Sequence, residues 1–161
     1  MTIREKRHRL PREYYQGEVS VAVTLCMRNR EHVFTEPQLV DIFTGMLSDA
    51  AGKAACSVPA YCFMPDHHHI LITGMQQGSD VWKAVVNYKQ RTGYWLSVHM
   101  PGVEWQKDFY DHVIKTPAEL AVRARYILDN PVRKGLVQKW QEYPFKGSIG
   151  CALDDVLNSL M

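Results

Sequence analysis

Three consecutive histidines are the residues whose type and spacing point most directly to chemistry. Residues 64–72 read Met-Pro-Asp-His-His-His-Ile-Leu-Ile, a segment that ends one strand-like run and opens another. Side chains alternate along an extended strand, so the imidazoles of His67 and His69 are expected on one face and that of His68 on the other. Neutral imidazoles are common ligands of divalent metals, and the pair predicts part of a metal site. A surface or hydrogen-bonded role near a turn is the alternative, because two imidazoles alone make a weak site.

A tyrosine and an asparagine on a predicted helix are candidates to complete that site. Tyr126 and Asn130 are four residues apart, which places them on one helix face about one turn from each other. The amide of Asn130 is therefore a candidate third ligand. From spacing alone the alternative is a half-buried core tyrosine followed by a helix C-cap before Pro131.

The elements that must position these side chains follow from apolar periodicity and capping residues. Strands are predicted over residues 18–27, 58–64, 67–73 and 108–114. The first predicted helix covers residues 36–52, with Thr35 as its N-cap. The second begins at Ser79 or Asp80 and ends at about Leu96. The third begins at the capping box of Thr116 and ends at Asn130, because the proline that follows is expected to end it. The last thirty or so residues are expected to be irregular, with a short terminal helix.

This order of elements predicts the fold class. The sequence β-α-β-β-α-β followed by a helix is the ferredoxin-like split βαβ pattern of α+β proteins. We therefore expect an antiparallel sheet with helices on one face, plus a C-terminal helix. We expect one domain over residues 1–161, with a basic arm over 1–14, a core over 15–148 and a tail over 149–161.

Composition narrows the class of protein. The chain has 161 residues, 46% hydrophobic and 22% charged, as in an ordinary globular domain. No apolar run approaches the roughly 20 residues that span a bilayer, and the charged N-terminus lacks a signal-peptide core, so a cytoplasmic protein is expected. The four cysteines form no Cys-x-x-Cys pair and are expected to be reduced thiols.

Positive charge is clustered although the net charge is only +2. Two basic clusters flank the candidate metal site along the chain, which favours a polyanionic partner; solvated surface is the alternative for either cluster. The clusters are Arg4, Lys6, Arg7, Arg9 and Arg12, and then Arg123, Arg125, Arg133, Lys134 and Lys139.

Several motifs occur in the order seen in one protein family. They are Met-Pro-Asp-His-His-His-Ile-Leu, Lys89, Trp105-Gln106, Tyr110-Asp-His112 and Tyr126-Ile-Leu-Asp-Asn-Pro-Val-Arg-Lys-Gly-Leu136. Across about residues 10–148 the chain resembles the single-tyrosine HUH transposases, most closely the bacterial REP-associated tyrosine transposases. The first and last motifs are the most specific.

The resemblance implies roles for individual residues. His67 and His69 match the HUH metal ligands, Tyr126 matches the nucleophile, and Asn130 lies where related enzymes place a polar third ligand. The family's middle HUH residue is hydrophobic, so we interpret His68 as a packing residue that points toward the helices. DNA contacts are expected from a larger set: Arg4, Arg7, Arg9, Arg12, Lys89, Gln106, His112 and Arg133.

The resemblance also implies an activity. The implied activity is that of a metal-dependent, single-strand DNA endonuclease and strand transferase. Such an enzyme would cleave at palindromic hairpins through a 5′-phosphotyrosine, with Mn²⁺ or Mg²⁺ as cofactor. The expected partner is hairpin DNA with a flanking single strand. The protein would be a monomer or homodimer, located in the bacterial cytoplasm in association with the nucleoid. One alternative is a hairpin-binding protein of the same fold that has lost cleavage; another is a metal-dependent hydrolase with a water nucleophile.

Overall fold

Five strands form one fully antiparallel sheet in the order β4-β1-β3-β2-β5. The computed structural model describes residues 9–158. The strands are Ser20–Cys26 (β1), Cys56–Met64 (β2), His67–Gly74 (β3), Tyr110–Ile114 (β4) and Lys146–Ile149 (β5). The helices of the described region are Pro37–Lys53 (α1), Val81–His99 (α2), Pro117–Arg133 (α3) and Leu153–Asn158 (α4). The expected α+β fold is confirmed, and β1 to β4 have the ferredoxin-like order.

The sheet is covered on both faces. Helices α1 and α2 pack on one face, where aromatic side chains such as Phe43 and Tyr88 join strand residues such as Ile70 in the larger apolar core. Helices α3 and α4 pack on the opposite face, where Ile127 and Leu128 meet the other side of β2 and β3. Strand β3 is therefore buried on both faces, which explains why Ile70, Leu71 and Ile72 are consecutive apolar residues at its centre.

The prediction that proline ends helix α3 is wrong. The helix continues through Pro131 to Arg133. Proline removes the N–H that would bond to the carbonyl four residues earlier, and its ring crowds that carbonyl. Both effects fall in the last turn of the helix, where Pro131 is buried by packing. The helix ends at Arg133, and Gly135, two residues later, turns the chain away with φ +75°. The N–H groups of Gly135 and Leu136 donate to the carbonyls of Val132 and Pro131, a Schellman motif.

Two further details differ from the sequence prediction. Helix α1 has Glu36 as its N-cap, with no side-chain cap hydrogen bond, rather than Thr35. The segment expected to be irregular contains β5, which pairs with β2 through Tyr61–Gly147 and Cys62–Lys146. The four residues of β5 are all half-buried and show no alternation, so only the available edge of β2 makes them a strand.

Two findings bear on the environment of the chain. None of the four cysteines, all within residues 9–158, forms a disulfide, as expected. Within residues 9–158, no helix combines the length and apolar character that crossing a bilayer requires.

Candidate metal centre and nucleophile

Three polar side chains converge on the face of the sheet that α3 covers. His67 and His69 lie on the central strand β3, with their Nε2 atoms 3.1 Å apart and their rings perpendicular. The side-chain amide of Asn130, on α3, approaches both: its nitrogen lies 2.8 Å from Nε2 of His69 and 3.3 Å from Nε2 of His67. The predicted convergence of these three residues is therefore present in the fold.

The chemistry of this donor set fits a divalent ion. Asn130 is 6% exposed, and its amide contacts the two imidazoles. The oxygen and nitrogen of an amide have nearly the same shape, so a turn of the amide presents its oxygen to the same point. In residues 9–158 no three His, Cys, Asp or Glu side chains form a metal-binding group, so a four-ligand zinc site of such residues is not provided there. Two nitrogens, one oxygen and open positions suit Mn²⁺ or Mg²⁺.

Each of the two candidate histidine ligands has a partner at its other ring nitrogen, Nδ1. Nδ1 of His67 lies 2.6 Å from Oδ1 of Asp66, and Nδ1 of His69 lies 3.0 Å from the hydroxyl oxygen of Thr24. Such partners orient an imidazole and fix which nitrogen carries the proton. The carboxylate of Asp66 only accepts hydrogen bonds, so Nδ1 of His67 donates and its Nε2 lone pair faces the cluster.

Burial keeps both imidazoles neutral. It lowers the pKa of His69 to about 3, with a smaller contribution from the nearby His67 and cations. Burial also lowers the pKa of His67, although its bond to Asp66 acts in the opposite direction. The pKa of Asp66 is itself low: burial raises it, but the hydrogen bond from His67 and the charge of Arg30 outweigh that effect. Both imidazoles are therefore neutral at neutral pH, and the Nε2 lone pair of His67, which is protonated at Nδ1, faces the cluster.

His68 occupies the opposite face of β3, as predicted. Its ring is fully buried, stacks on Phe63 at 3.5 Å between centroids, and accepts or donates a hydrogen bond at 2.9 Å with the hydroxyl of Tyr88. Its Nε2 has no hydrogen-bond partner among residues 9–158. His68 is therefore a packing residue and lies apart from the candidate ligands.

Tyr126 lies one turn before Asn130 on the same helix. It is 53% exposed, so its hydroxyl is accessible from solvent. The guanidinium of Arg133 covers the ring at 3.9 Å from its centroid and donates to the backbone carbonyl of Tyr126 at 2.8 Å. The Arg133 cation thus lies against the ring of the candidate nucleophile, on the helix that also carries Asn130.

The two predicted DNA-contacting arginines of the arm that fall in the described residues are both engaged within the protein. Arg9 lies over the rings of Trp82 and Phe109, donates to the Phe109 carbonyl at 2.6 Å and pairs with Asp111. Arg12 is exposed and pairs with Asp80 at 3.3 Å. A contact between Arg9 and DNA would have to replace these interactions. Arg4 and Arg7 lie outside the described residues.

Three further predicted DNA contacts, Lys89, Gln106 and His112, lie on helix α2, in the segment before β4 and on β4. Lys89 donates to the backbone carbonyl of Lys107, Gln106 follows the buried Trp105, and His112 pairs with Glu119 on the edge strand β4. Their roles in DNA binding stay predictions.

Sequence reasoning missed Asp66, Thr24 and Arg30 as members of the site. Asp66 carried a usable signal, because a carboxylate next to a candidate histidine ligand is a common orienting partner. Thr24 is opposite His69 only through the pairing of β1 with β3, and no local pattern reveals that register.

Comparison with known proteins identifies the family. The family model described as "Transposase IS200 like" matches residues 15–130. A REP-associated tyrosine transposase of Escherichia coli (strain K12) is 29% identical over 143 residues, covering 83% of this chain and 79% of that protein. A Haemophilus influenzae protein named for the same activity is 28% identical over 103 residues, so the match spans 53% of this chain and 55% of that relative.

The fold comparison agrees. The solved structure of a REP-associated tyrosine transposase bound to a REP hairpin superposes with a TM-score of 0.71 at 21% identity, covering 86% of this chain and 81% of that one. The family model covers well over half of the chain, including both candidate histidines, Tyr126 and Asn130. The chain therefore belongs to the IS200-like transposase family, in which it resembles the REP-associated tyrosine transposases.

Proposed function

We propose that this protein is a metal-dependent single-stranded DNA endonuclease and strand transferase that uses Tyr126 as its nucleophile. One observation carries the proposal: α3 bears both Tyr126 and the amide of Asn130 that lies within hydrogen-bonding distance of His67 and His69. The helix thereby links an accessible phenol to a cluster of metal-ligand type, one turn apart. A core tyrosine followed by a C-cap would not require this contact.

The reaction that fits these groups is transesterification at a DNA phosphate. The oxygen of Tyr126 forms a bond to phosphorus while the bond from phosphorus to the 3′-oxygen breaks, leaving a 5′-phosphotyrosine and a 3′-hydroxyl. The phenolic proton is lost to solvent, and the departing 3′-oxygen takes up a proton. One phosphodiester replaces another, so the reverse step can join strands without ATP.

The residues divide the work between positioning and charge. His67, His69 and Asn130 would hold the ion, which supplies Lewis-acid polarisation of the phosphate when bound. Arg133, stacked on Tyr126, places a fixed positive charge where the phosphate must approach. The rigid pairing of β3 with its two neighbours holds the imidazoles in place.

We further propose hairpin DNA with a flanking single strand, of the REP palindrome type, as the substrate. The solved relative is bound to a REP hairpin, and the Escherichia coli relative is named for the same repeats. Such a substrate implies a cytoplasmic, nucleoid-associated protein in a bacterial cell. The proposal accommodates either a monomer or a homodimer.

The test is the formation of a covalent protein–DNA adduct. A labelled hairpin oligonucleotide with a 3′ single strand and a 5′ single strand is incubated with the full chain and Mn²⁺, and adducts are resolved under denaturing conditions. We expect an adduct from the wild type and none from Tyr126→Phe, while Tyr94→Phe, which changes an exposed tyrosine on α2, retains it. The variant His69→Ala should lose both the adduct and cleavage.

Two outcomes would favour the other functions. If the wild type binds the hairpin but neither cleaves it nor forms an adduct, the protein is a binding module of the same fold. If Tyr126→Phe still cleaves while His69→Ala does not, water is the nucleophile and the protein is a metal-dependent hydrolase.

A further inference from the structure

The short turn that follows β1 has an unusual backbone. In the 3-10 turn Arg28–Arg30, both Asn29 (φ 59°) and Arg30 (φ 54°) adopt the left-handed conformation. Asparagine tolerates this region, but for arginine the clash of Cβ with the backbone makes it costly. A non-glycine residue persists there only when its surroundings hold it, and such residues concentrate at functional sites.

Backbone hydrogen bonds attach this turn to the segment that precedes His67. The N–H of Met27 donates to the carbonyl of Asp66 at 2.9 Å. Further along, the N–H groups of Val33 and Phe34 both donate to the carbonyl of Pro65, at 2.7 and 3.0 Å. The chain from Met27 to Phe34 therefore lies across the Pro65–Asp66 turn and is held at both ends.

The left-handed backbone directs the Arg30 side chain onto Asp66. The Nε–H of Arg30 donates to Oδ2 of Asp66 at 2.9 Å. The other carboxylate oxygen, Oδ1, lies 2.6 Å from Nδ1 of His67. Each oxygen of Asp66 thus has a separate partner, and the carboxylate is fixed between the guanidinium and the imidazole.

We propose that Arg30 is a positioning residue of the metal centre: by fixing Asp66, it holds His67 as the Nδ1–H tautomer with the Nε2 lone pair directed at Asn130 and His69. The part of this inference that concerns metal affinity rests on the proposed function. The part that concerns the tautomer of His67 does not.

His69 provides the contrast within the same site. Its Nδ1 partner is the hydroxyl of Thr24, which can either donate or accept a hydrogen bond. Thr24 therefore allows both tautomers of His69, whereas Asp66 allows only one tautomer of His67. The ordering of the site before metal binding comes from the His67 side, and Arg30 is the outermost member of that chain of contacts.

The first experiment measures Mn²⁺ affinity by calorimetric titration of the full chain. Asp66→Asn leaves one oxygen for two donors, and we expect affinity to fall by about 10-fold to 100-fold. Arg30→Gln and Arg30→Gly should weaken binding by at least several-fold, since Asp66 then loses its outer partner. Arg28→Gln is the matched control: it removes the same charge from the same turn, but its partner is Glu104 rather than Asp66.

The second experiment reads the His67 tautomer directly in the metal-free protein, from long-range ¹H–¹⁵N correlations of its imidazole. We expect the Nδ1–H form in the wild type and in Arg28→Gln. A mixture of tautomers is expected in Arg30→Gln and Asp66→Asn. This measurement needs neither metal nor activity.

Thermal unfolding separates positioning from a role in stability. Glycine adopts the left-handed region freely, so Arg30→Gly should not lower the unfolding midpoint even as it weakens Mn²⁺ binding. Asn29→Gly relieves the neighbouring left-handed residue but keeps the Arg30 side chain, and its Mn²⁺ affinity should match that of the wild type. The proposal is overturned if the His67 tautomer is unchanged in Arg30→Gln, or if the Arg30 variants bind Mn²⁺ as well as Arg28→Gln does. If the wild type binds no Mn²⁺, the proposed metal dependence fails, and the tautomer measurement still decides whether Arg30 acts on His67.

Discussion

At the residue scale, three identical side chains in a row have two different chemistries because of where they point. His67 and His69 face α3 and meet a polar amide, whereas His68 faces the aromatic core between β3 and α2. Burial lowers the pKa of all three imidazoles, and for His68 it does so strongly. The histidines therefore also carry a stability effect that depends on pH.

We predict that the folded protein loses stability as the pH falls below about 6.5, the ordinary pKa of an unfolded histidine. Below that pH the unfolded chain takes up protons that the buried imidazoles do not, so the free energy of unfolding decreases until the folded pKa values are reached, about 3 for His69. Above pH 6.5 both states are neutral and this contribution is constant. Urea unfolding at pH 7, 6, 5 and 4 measures the effect.

A matched pair of variants isolates the contribution of His68 to this pH dependence of stability. His68→Leu should reduce the slope of stability against pH by up to about 1.4 kcal/mol per pH unit below pH 6, because one proton fewer is taken up on unfolding. At pH 7 the single variant should be destabilised by about 1–3 kcal/mol, since the buried hydroxyl of Tyr88 loses its partner. Adding Tyr88→Phe should recover much of that loss. An unchanged slope in both variants would contradict a buried, neutral His68.

At the element scale, the way α3 ends affects the candidate site as much as the helix face that carries Tyr126 and Asn130. Tyr126, Asn130 and Arg133 all lie in its last turns, and Arg133 covers the Tyr126 ring only while that end stays helical. The Schellman motif at Gly135 closes the helix after Pro131 has removed one backbone hydrogen bond. The geometry around Tyr126, the candidate nucleophile, thus depends on a residue outside the candidate site.

We predict that glycine-to-alanine substitutions at Gly135, after the end of α3, and at Gly45, inside α1, change the free energy of unfolding in opposite directions. Gly135→Ala places a Cβ in a left-handed residue (φ +75°) with no atom within 4 Å, so its cost is conformational, about 1 kcal/mol. Gly45→Ala, inside α1 and equally unobstructed, should stabilise the fold by about 0.5–1 kcal/mol. Chemical unfolding measures both. Equal signs would argue against the Schellman closure as the end of α3.

At the scale of the whole molecule, the sheet separates two tasks. The larger aromatic core lies on the face of α1 and α2, and the polar cluster lies on the face of α3. Positive charge also divides between structural and accessible positions: Arg9 is enclosed by aromatic rings and Asp111, whereas Arg133 is exposed beside Tyr126.

We predict that these two arginines respond differently when each is changed to glutamine. Arg133→Gln should weaken binding of the hairpin oligonucleotide by the uncleaving Tyr126→Phe protein and lower the slope of log affinity against log salt by about 0.7. Arg9→Gln should leave that slope unchanged but destabilise the fold by about 1–3 kcal/mol, because the Phe109 carbonyl loses a charged donor and Asp111 loses its ion-pair partner. Fluorescence anisotropy across a salt series and urea unfolding distinguish the two. A lower salt slope for Arg9→Gln would instead indicate that Arg9 contacts the DNA.

The sequence by itself determined the order of elements and the candidate ligands. Alternation placed His67 and His69 on one face and His68 on the other, helical spacing put Tyr126 and Asn130 one turn apart, and capping residues located α2 and α3 closely. These are local properties, because side-chain direction and capping depend on residues near one another in the chain.

Only the tertiary structure decided which of these local features meet. The contact of Asn130 with both imidazoles joins residues more than sixty positions apart and depends on α3 packing across β3. Strand β5 exists because β2 offers it an edge, and α3 passes through Pro131 because packing compensates for one lost hydrogen bond. The left-handed Arg30 had no signal in the sequence, since arginine does not favour that conformation and the segment around it is held by hydrogen bonds to the distant Pro65–Asp66 turn.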